Sequence, residues 1–133
     1  MIDKVFRSNI AGCSPTTNLA EAGALLWKND CGILPVIDPI CKVLGVITDR
    51  DIAIALATRN RPAYEVLVRE VMSGKLYTCS PTDDAEEALR TMRMRKIRRL
   101  PVVDENGILR GMISISDFIL AALSKKGRNG ALD

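Results

Sequence analysis

The sequence predicts a mixed α/β (α+β) fold in which two copies of a strand–helix–strand–strand–helix unit pack with pseudo-two-fold symmetry. Shifting the chain by 66 positions aligns the tetrapeptide Cys-Ser-Pro-Thr at 13–16 with the same tetrapeptide at 79–82. Residues 4–57 and 70–123 share fifteen identical positions without a gap. Each copy also carries two short apolar segments separated by a turn. One copy cannot bury both faces of its own sheet, so we expect the copies to share a core.

The first repeat is assigned to residues 1–62. A short strand is expected near residues 11–13, and Thr17 or Asn18 can cap the helix that follows, whose apolar residues recur at helical spacing. Segments 33–37 and 43–48 are apolar and rich in β-branched residues. They predict two strands joined by a turn at Asp38-Pro39. A second helix is expected to start within 48–51.

The second repeat is assigned to residues 63–133 and follows the same plan. A short helix at 65–72, with a counterpart around 4–7, is expected to precede a strand at 76–79. A helix over 83–95 and strands at 100–103 and 108–114 come next, and Asn106-Gly107 favours a hairpin turn between these strands. The last helix is predicted from Ser116 to about Lys125. The tail, 127–133, contains two glycines and is expected to be frayed.

Composition narrows the classes of function. Apolar residues make up 47% of the chain, charged residues 26%, and the net charge is +3. No apolar run approaches the roughly 20 residues that span a bilayer, and no secretory signal is evident, so we expect a cytoplasmic protein with no membrane partner. The chain has no histidine, which excludes Ser-His-Asp and Cys-His catalysis.

The remaining cysteine, tryptophan and methionine residues are interpreted as packing residues. The four cysteines form no C-x-x-C pair, which argues against a zinc site and favours buried thiols in a reducing compartment. Trp27 is expected in the core or at an interface. Met92 and Met94 are expected to fill the core.

The strand-to-helix turn in each copy is the strongest local signal. It reads Gly-Val-Ile-Thr-Asp-Arg-Asp at 45–51 and Gly-Met-Ile-Ser-Ile-Ser-Asp at 111–117. Helix starts expose unpaired N–H groups and attract phosphate. A hydroxyl there can donate to phosphate, and a carboxylate three residues later can accept from a ribose diol. The residues alone leave a second interpretation open, in which the hydroxyl is only an N-cap and the carboxylate only a first-turn acid.

The whole ordered pattern, Ser-Pro-Thr, helix, Leu-Pro-Val, Gly-x-x-Thr/Ser-x-x-Asp, helix, occurs twice over about residues 4–124. It resembles a pair of cystathionine-β-synthase (CBS) domains, the arrangement called a Bateman module. The resemblance implies two tandem CBS repeats that bind an adenosine-containing ligand (AMP, ADP, ATP or S-adenosylmethionine) in clefts between the repeats. Mg²⁺ would accompany the ligand only if it is ATP.

The resemblance also implies the binding residues. The ribose and phosphate residues it points to are Thr48, Arg50, Asp51, Ser114, Ser116 and Asp117. The adenine pocket it points to draws on Cys13, Ser14, Thr16, Ile33, Leu34, Pro35, Cys79, Thr82, Arg99, Leu100 and Pro101. The two sites are expected to bind with unequal affinity, because Arg50 in the first corresponds to Ser116 in the second.

We therefore expect a stand-alone regulatory module that senses cellular energy through adenine nucleotides, with no catalytic residues and no enzyme activity. By resemblance it forms a homodimer through its helices, and it passes its signal to an unidentified target protein. An alternative is a ligand-free module for dimerisation or protein interaction.

A second alternative rests on a basic segment. Six cations lie within ten residues: Arg90, Arg93, Arg95, Lys96, Arg98 and Arg99. The segment is interpreted as a solvated face, as a phosphate-steering surface, or as a nucleic-acid binding surface. Aromatic residues are only 4% of the chain, and none is interleaved with these cations, which argues against nucleic acid.

Overall fold

The computed structural model describes Ile2, residues 6–8 and residues 10–130, with side chains described up to residue 123. The chain divides into two compact units. The N-terminal unit contains residues 10–76 and 106–109. The C-terminal unit contains residues 77–105 and those from 110 on, together with Ile2 and residues 6–8.

Each unit contains two helices and a pair of strands, as the repeat predicts. The N-terminal unit contains α1 (Leu19–Lys28), β1 (Ile33–Ile37), β2 (Val43–Thr48) and α2 (Asp49–Arg59). The C-terminal unit contains α3 (Ala85–Arg95), β3 (Arg99–Val103), β4 (Leu109–Ser114, whose first residue is grouped with the N-terminal unit) and α4 (Ile115–Gly130). The mixed α/β fold with two repeats is therefore confirmed.

The strands and caps form where the local chemistry favours them. β1 and β2 are antiparallel, with Ile33 opposite Thr48 and Ile37 opposite Val43. Asn18 caps α1 by accepting a hydrogen bond from the Glu21 N–H at 2.9 Å. The predicted first strand of each repeat is reduced to a single parallel bridge, Cys13 with Val36 and Cys79 with Val102.

The segments that precede the two repeats are exchanged between the units. Ile2 precedes the first repeat but is fully buried in the core of the C-terminal unit. Val68 is the equivalent residue 66 positions later, and it is fully buried in the core of the N-terminal unit. Each unit thus completes its core with an apolar residue from outside its own repeat. The buried residues form two clusters, one in each unit, where the sequence suggested one shared core.

Several local predictions need correction. Two short 3-10 helices, Ala63–Glu65 and Val68–Glu70, replace the helix expected at 65–72, because Val66 and Val68, only two residues apart, are both buried in the core of the N-terminal unit. Residues 4 and 5 of its expected counterpart at 4–7 lie outside the described residues. Helix α3 starts at Ala85, two residues later than expected, and Asp84 precedes it in extended conformation. Helix α4 continues to Gly130, through part of the tail expected to fray.

Burial also differs from the expectation for three side chains. Trp27 is 89% exposed, which excludes the core and leaves the interface as the prediction for it, and Met94 is 70% exposed on the outer face of α3. Cys13 and Cys79 are buried as expected, whereas Cys41 is exposed because it lies in the turn between β1 and β2. Met92 is buried, as predicted. The buried Cys13 belongs to the core cluster of the N-terminal unit, and the buried Cys79 and Met92 belong to that of the C-terminal unit.

Candidate ligand-binding corners

The Thr48–Asp51 corner is the turn from β2 into α2 in the N-terminal unit. Thr48 is the N-cap of α2, and its Oγ1 accepts a hydrogen bond from the Asp51 N–H at 3.0 Å. In return, Asp51 Oδ2 accepts from the Thr48 N–H at 2.9 Å. The two residues therefore form a capping box, which fixes both side chains at the start of the helix.

The Ser114–Asp117 corner repeats this arrangement in the C-terminal unit. Ser114 Oγ accepts from the Asp117 N–H at 3.3 Å, and Asp117 Oδ2 accepts from the Ser114 N–H at 2.9 Å. One contact is added: the Nε of Arg7 donates to Asp117 Oδ1 at 3.4 Å. Asp117 is 7% exposed, so its carboxylate is nearly buried with a cation beside it.

The capping bonds leave part of each corner available to a ligand. A hydroxyl that accepts a hydrogen bond still has its own O–H to donate, so Thr48 and Ser114 can cap a helix and contact phosphate at once. Asp51 uses only Oδ2 in the cap, and no donor in the described part of the chain contacts its Oδ1. The capping role and the binding role predicted from the sequence are therefore compatible.

Several residues predicted for the adenine pocket have side chains that lie in the core. Leu34 and Leu100 are fully buried, Pro35 and Pro101 are buried beside them, and Cys13 and Cys79 are each 5% exposed. In this structure these side chains offer a ligand almost no surface. Ile33 and Arg99 differ, because Ile33 is half-buried and Arg99 is exposed at the first position of its strand.

Within each unit, the remaining predicted residues fall at opposite ends of the strands. Thr48 is paired with Ile33 at one end of β1, whereas Cys13 hydrogen-bonds Pro35 and Ile37 toward the other. Strands rise about 3.3 Å per residue, so the two ends of β1 are about 13 Å apart. Ser14 and Thr16, which follow Cys13, bond each other at 2.9 Å between their hydroxyl oxygens. They are not brought to the Thr48–Asp51 corner of their own unit.

The C-terminal unit shows the same separation through a cavity. A surface cavity of about 620 Å³ is lined by residues 78–83 and 103–105 and by Arg110. It includes Cys79 and Thr82 of the predicted adenine pocket, but neither Ser114 nor Asp117. The cavity therefore lies at the end of β3 remote from the Ser114–Asp117 corner.

Sequence reasoning did not identify Arg7 as a site residue. Arg7 forms an antiparallel bridge with Met112, two positions before Ser114, and this bridge holds it beside Asp117. The ion pair joins residues 110 positions apart, so no local pattern reveals it. The one sequence signal that bears on the position of Arg7 is the 66-residue repeat, which aligns Arg7 with Ser73.

The basic segment is an exposed surface of the C-terminal unit. All six of its cations are exposed, and neither of the two salt bridges found among the described residues uses them. The Arg95 guanidinium lies 4.8 Å from the centroid of the Tyr77 ring. One face of the Tyr77 ring is thus occupied by Arg95 and is not open to a stacked base.

The part of the chain that the structure describes contains no cluster of three or more cysteine, aspartate or glutamate side chains arranged to hold a metal ion. Over the same residues, no helix has the length and apolar character needed to cross a membrane.

The fold therefore repeats one unit twice, and each copy has a strand-to-helix corner closed by a hydroxyl and a carboxylate. The family model for the CBS domain matches the chain twice, over residues 2–58 and 68–124. The chain therefore belongs to the CBS domain family and carries two such domains in tandem.

Relatives with similar sequences agree with this assignment. The CBS domain-containing protein YhcV of Bacillus subtilis is 32% identical over 126 residues, which cover 94% of this chain and 87% of YhcV. Inosine-5'-monophosphate dehydrogenase of Mycobacterium leprae is 33% identical over 123 residues. That match covers 90% of this chain but only 22% of the dehydrogenase, so the likeness extends only to its CBS part.

Solved structures with the same fold include CBSX2 in complex with AMP, with 29% identity and a TM-score of 0.83 over 94% of this chain and 97% of CBSX2. The CBS domain pair of protein MJ0100, solved with 5'-methylthioadenosine and S-adenosyl-L-methionine, has a TM-score of 0.84. The match covers 94% of this chain and 97% of the MJ0100 chain. At 23% identity this second likeness concerns the fold alone.

Proposed function

We propose that this protein is a regulatory module that binds an adenosine-containing ligand at the Thr48–Asp51 and Ser114–Asp117 corners. The carboxylates of Asp51 and Asp117 accept from the ribose hydroxyls. The hydroxyls of Thr48 and Ser114, together with Arg50 or Ser116 in the first turn of the helix, donate to a phosphate or to another acceptor carried by the ribose. Ile33 and Arg99, at the strand ends beside the corners, border the base or the phosphate.

One observation carries this proposal. In both corners the capping box uses the hydroxyl only as a hydrogen-bond acceptor, together with one oxygen of the carboxylate. The O–H of Thr48 or Ser114 therefore remains available as a donor at each helix start. The positive end of the helix dipole at each corner adds to this donor in favouring a phosphate. The 29% identical CBSX2 was solved with AMP, which supports a ligand of the same class.

The test is a thermal-shift panel of AMP, ADP, ATP with and without Mg²⁺, S-adenosylmethionine and GTP. A ligand at 100 times its Kd stabilises the folded chain by roughly 2.7 kcal/mol, which raises the Tm by several degrees. We expect this shift with at least one adenosine compound and not with GTP. No shift with any adenosine compound, or an equal shift with GTP, contradicts the proposal.

The regulatory role implies that the chain catalyses no reaction and acts through association. Residues on the outer faces of two helices support a homodimer: Ile54 and Leu56 of α2, and Ile119, Leu120 and Leu123 of α4 are each more than 40% exposed. Exposed apolar patches of this kind mark interaction surfaces. Sedimentation equilibrium checks the dimer, which Leu120→Glu should weaken, with Arg90→Glu as the control on a different helix. A monomer at all concentrations refutes it.

A further inference from the structure

The two corners share one backbone arrangement. In the N-terminal unit the Asp49 N–H, at the start of α2, donates to the Gly32 carbonyl at 3.0 Å. In the C-terminal unit the Ile115 N–H, at the start of α4, donates to the Arg98 carbonyl, also at 3.0 Å. Both donors and both acceptors are related by the 66-residue repeat. Residue 32 therefore lies beside one corner as residue 98 lies beside the other.

The segments that precede the two repeats, which are exchanged between the units, are related by the same 66-residue shift. Arg7 bridges Met112 in the C-terminal unit, and Ser73 bridges Val46 in the N-terminal unit. Arg7 and Ser73 are 66 positions apart, as are Val46 and Met112. The exchanged segment in each unit thus brings an arginine near one corner, whereas the equivalent segment carries a serine near the other.

The side chains at these equivalent positions differ in charge. The C-terminal unit has Arg7, Arg98 and Arg99 around its corner, where the N-terminal unit has the uncharged residues Ser73, Gly32 and Ile33. At the first position of the helix the contrast in charge is reversed. The N-terminal unit has the exposed and acidic Asp49 there, whereas the C-terminal unit has the uncharged Ile115. Three arginines and Asp117 therefore surround one corner, whereas Arg50 with Asp49 and Asp51 surround the other.

The carboxylates differ in the same direction. Asp117 has one oxygen in the capping box and the other beside Arg7, so its charge is paired. Asp51 has one oxygen in the capping box and one without a donor among the described residues. An anionic group approaching Asp117 meets a neutralised acid and exposed arginines, whereas one approaching Asp51 meets two acids and one arginine.

We propose that the two corners select ligands by charge: the Ser114–Asp117 corner binds phosphorylated adenosine, and the Thr48–Asp51 corner binds an adenosyl group without phosphate. This inference rests on the proposed function, because it assumes that both corners hold adenosine. The chain would then respond to two metabolites of one nucleoside class rather than bind one of them twice.

The experiment compares AMP with adenosine, which differ only in the phosphate, by titration calorimetry on the full chain. Asp51→Ala leaves the C-terminal corner intact, and we expect AMP to bind it at least about tenfold tighter than adenosine, as for hydrogen bonds to charged groups. Asp117→Ala leaves the N-terminal corner, where AMP should bind no tighter than adenosine. Asparagine replaces alanine at either position if the alanine variant unfolds, since its amide oxygen still accepts the capping bond.

A second substitution tests the arginine directly. In the Asp51→Ala background, Arg98→Ala should lower the AMP affinity roughly tenfold and leave the adenosine affinity unchanged. Arg90→Ala, an exposed arginine of α3, is the matched control and should change neither. Equal AMP-to-adenosine ratios at the two corners, or an Arg98→Ala variant that keeps its AMP preference, overturn this inference while the proposed function stands. Failure of both compounds to bind the variants and the unmodified chain overturns this inference, and it overturns the proposed function as well if no other adenosine compound shifts the Tm.

Discussion

Arg7 contacts Asp117 across 110 positions of the chain, with its Nε 3.4 Å from Oδ1 of a carboxylate that is only 7% exposed. The side chain of Arg7 is itself 72% exposed. The contact joins the segment before the first repeat to the helix start of the second. It therefore connects the stability of the C-terminal unit with the charge of its candidate ligand site.

Arg7→Ala should lower the free energy of unfolding by only about 0.5–1 kcal/mol, because water screens the exposed cation. Urea denaturation followed by circular dichroism measures this change. Arg90→Ala, an exposed arginine outside the corner, is the control and should have a smaller effect. A loss of several kcal/mol from Arg7→Ala would mean that the buried carboxylate depends on this ion pair far more than the exposure indicates.

The capping boxes should contribute to stability independently of any ligand. Thr48→Ala and Ser114→Ala each remove an acceptor for a backbone N–H at a helix start, and each should cost about 1 kcal/mol in the free energy of unfolding. Thr48→Ser and Ser114→Thr keep the hydroxyl and should cost much less. If the alanine variants are as stable as the unmodified chain in urea, the capping bonds seen at 3.0 and 3.3 Å contribute nothing.

Gly45 is required by the close approach of an exchanged segment. A Cβ at this position would lie 2.7 Å from the Ser73 carbonyl oxygen, which belongs to the strand that bridges Val46. Gly45→Ala should therefore destabilise the chain by roughly 1–3 kcal/mol.

Gly23 supplies the control for that substitution. It lies inside α1, and an added Cβ would meet nothing within 4 Å. Gly23→Ala should raise the free energy of unfolding by about 0.5–1 kcal/mol. Thermal unfolding of the two variants should give Tm changes of opposite sign, and changes of the same sign would contradict this account of Gly45.

Cysteine reactivity should follow burial. Desolvation raises the pKa of the Cys13 thiol from 9.0 to about 11, and desolvation followed by the nearby Asp83 raises the pKa of Cys79 to about 12. At pH 8 both remain protonated, so a thiol reagent such as DTNB should react first with the exposed Cys41. Cys41→Ser should remove the fast phase, and rapid labelling of Cys13 or Cys79 in the folded chain would contradict this prediction.

The same raised pKa values predict a loss of stability in alkali. The unfolded chain deprotonates these thiols near pH 9, while the folded chain holds them protonated up to about pH 11 and 12. The unfolded state is therefore favoured progressively as the pH rises above 9. Cys13→Ala should flatten this decline, measured as the urea midpoint between pH 8 and 10.5, whereas Cys41→Ser should leave it unchanged. If Cys41→Ser flattened the decline and Cys13→Ala did not, deprotonation of the exposed Cys41 thiol would be the cause of the loss of stability.

The duplication made most of the fold predictable. β1 and β2 were predicted with the bounds the structure shows, because short apolar β-branched runs ended by Asp-Pro and Thr-Asp leave few alternatives. Asn18 was one of two predicted caps of α1. The helix expected at 65–72 was wrong because Val66 and Val68 each face the core of the N-terminal unit from extended or 3-10 backbone.

The candidate site was predictable only where it is local. Thr48 with Asp51 and Ser114 with Asp117 lie three residues apart, so their capping geometry follows from the sequence. Leu34 and Leu100 were assigned to a ligand pocket, yet both are fully buried, because position within a repeat does not reveal which face of a strand meets the core. Their contribution to an adenine pocket stays a prediction.

The sequence by itself determined that one unit occurs twice and that each copy turns from a strand into a helix at a hydroxyl and a carboxylate. These features depend on residues three to a dozen positions apart, where backbone preference and hydrogen-bonding capacity decide the structure. Only the tertiary structure decided that Ile2 and Arg7 belong with the second repeat and Val68 and Ser73 with the first. Burial and long-range strand pairing govern that exchange, and it places a cation beside Asp117 and none from the equivalent position beside Asp51.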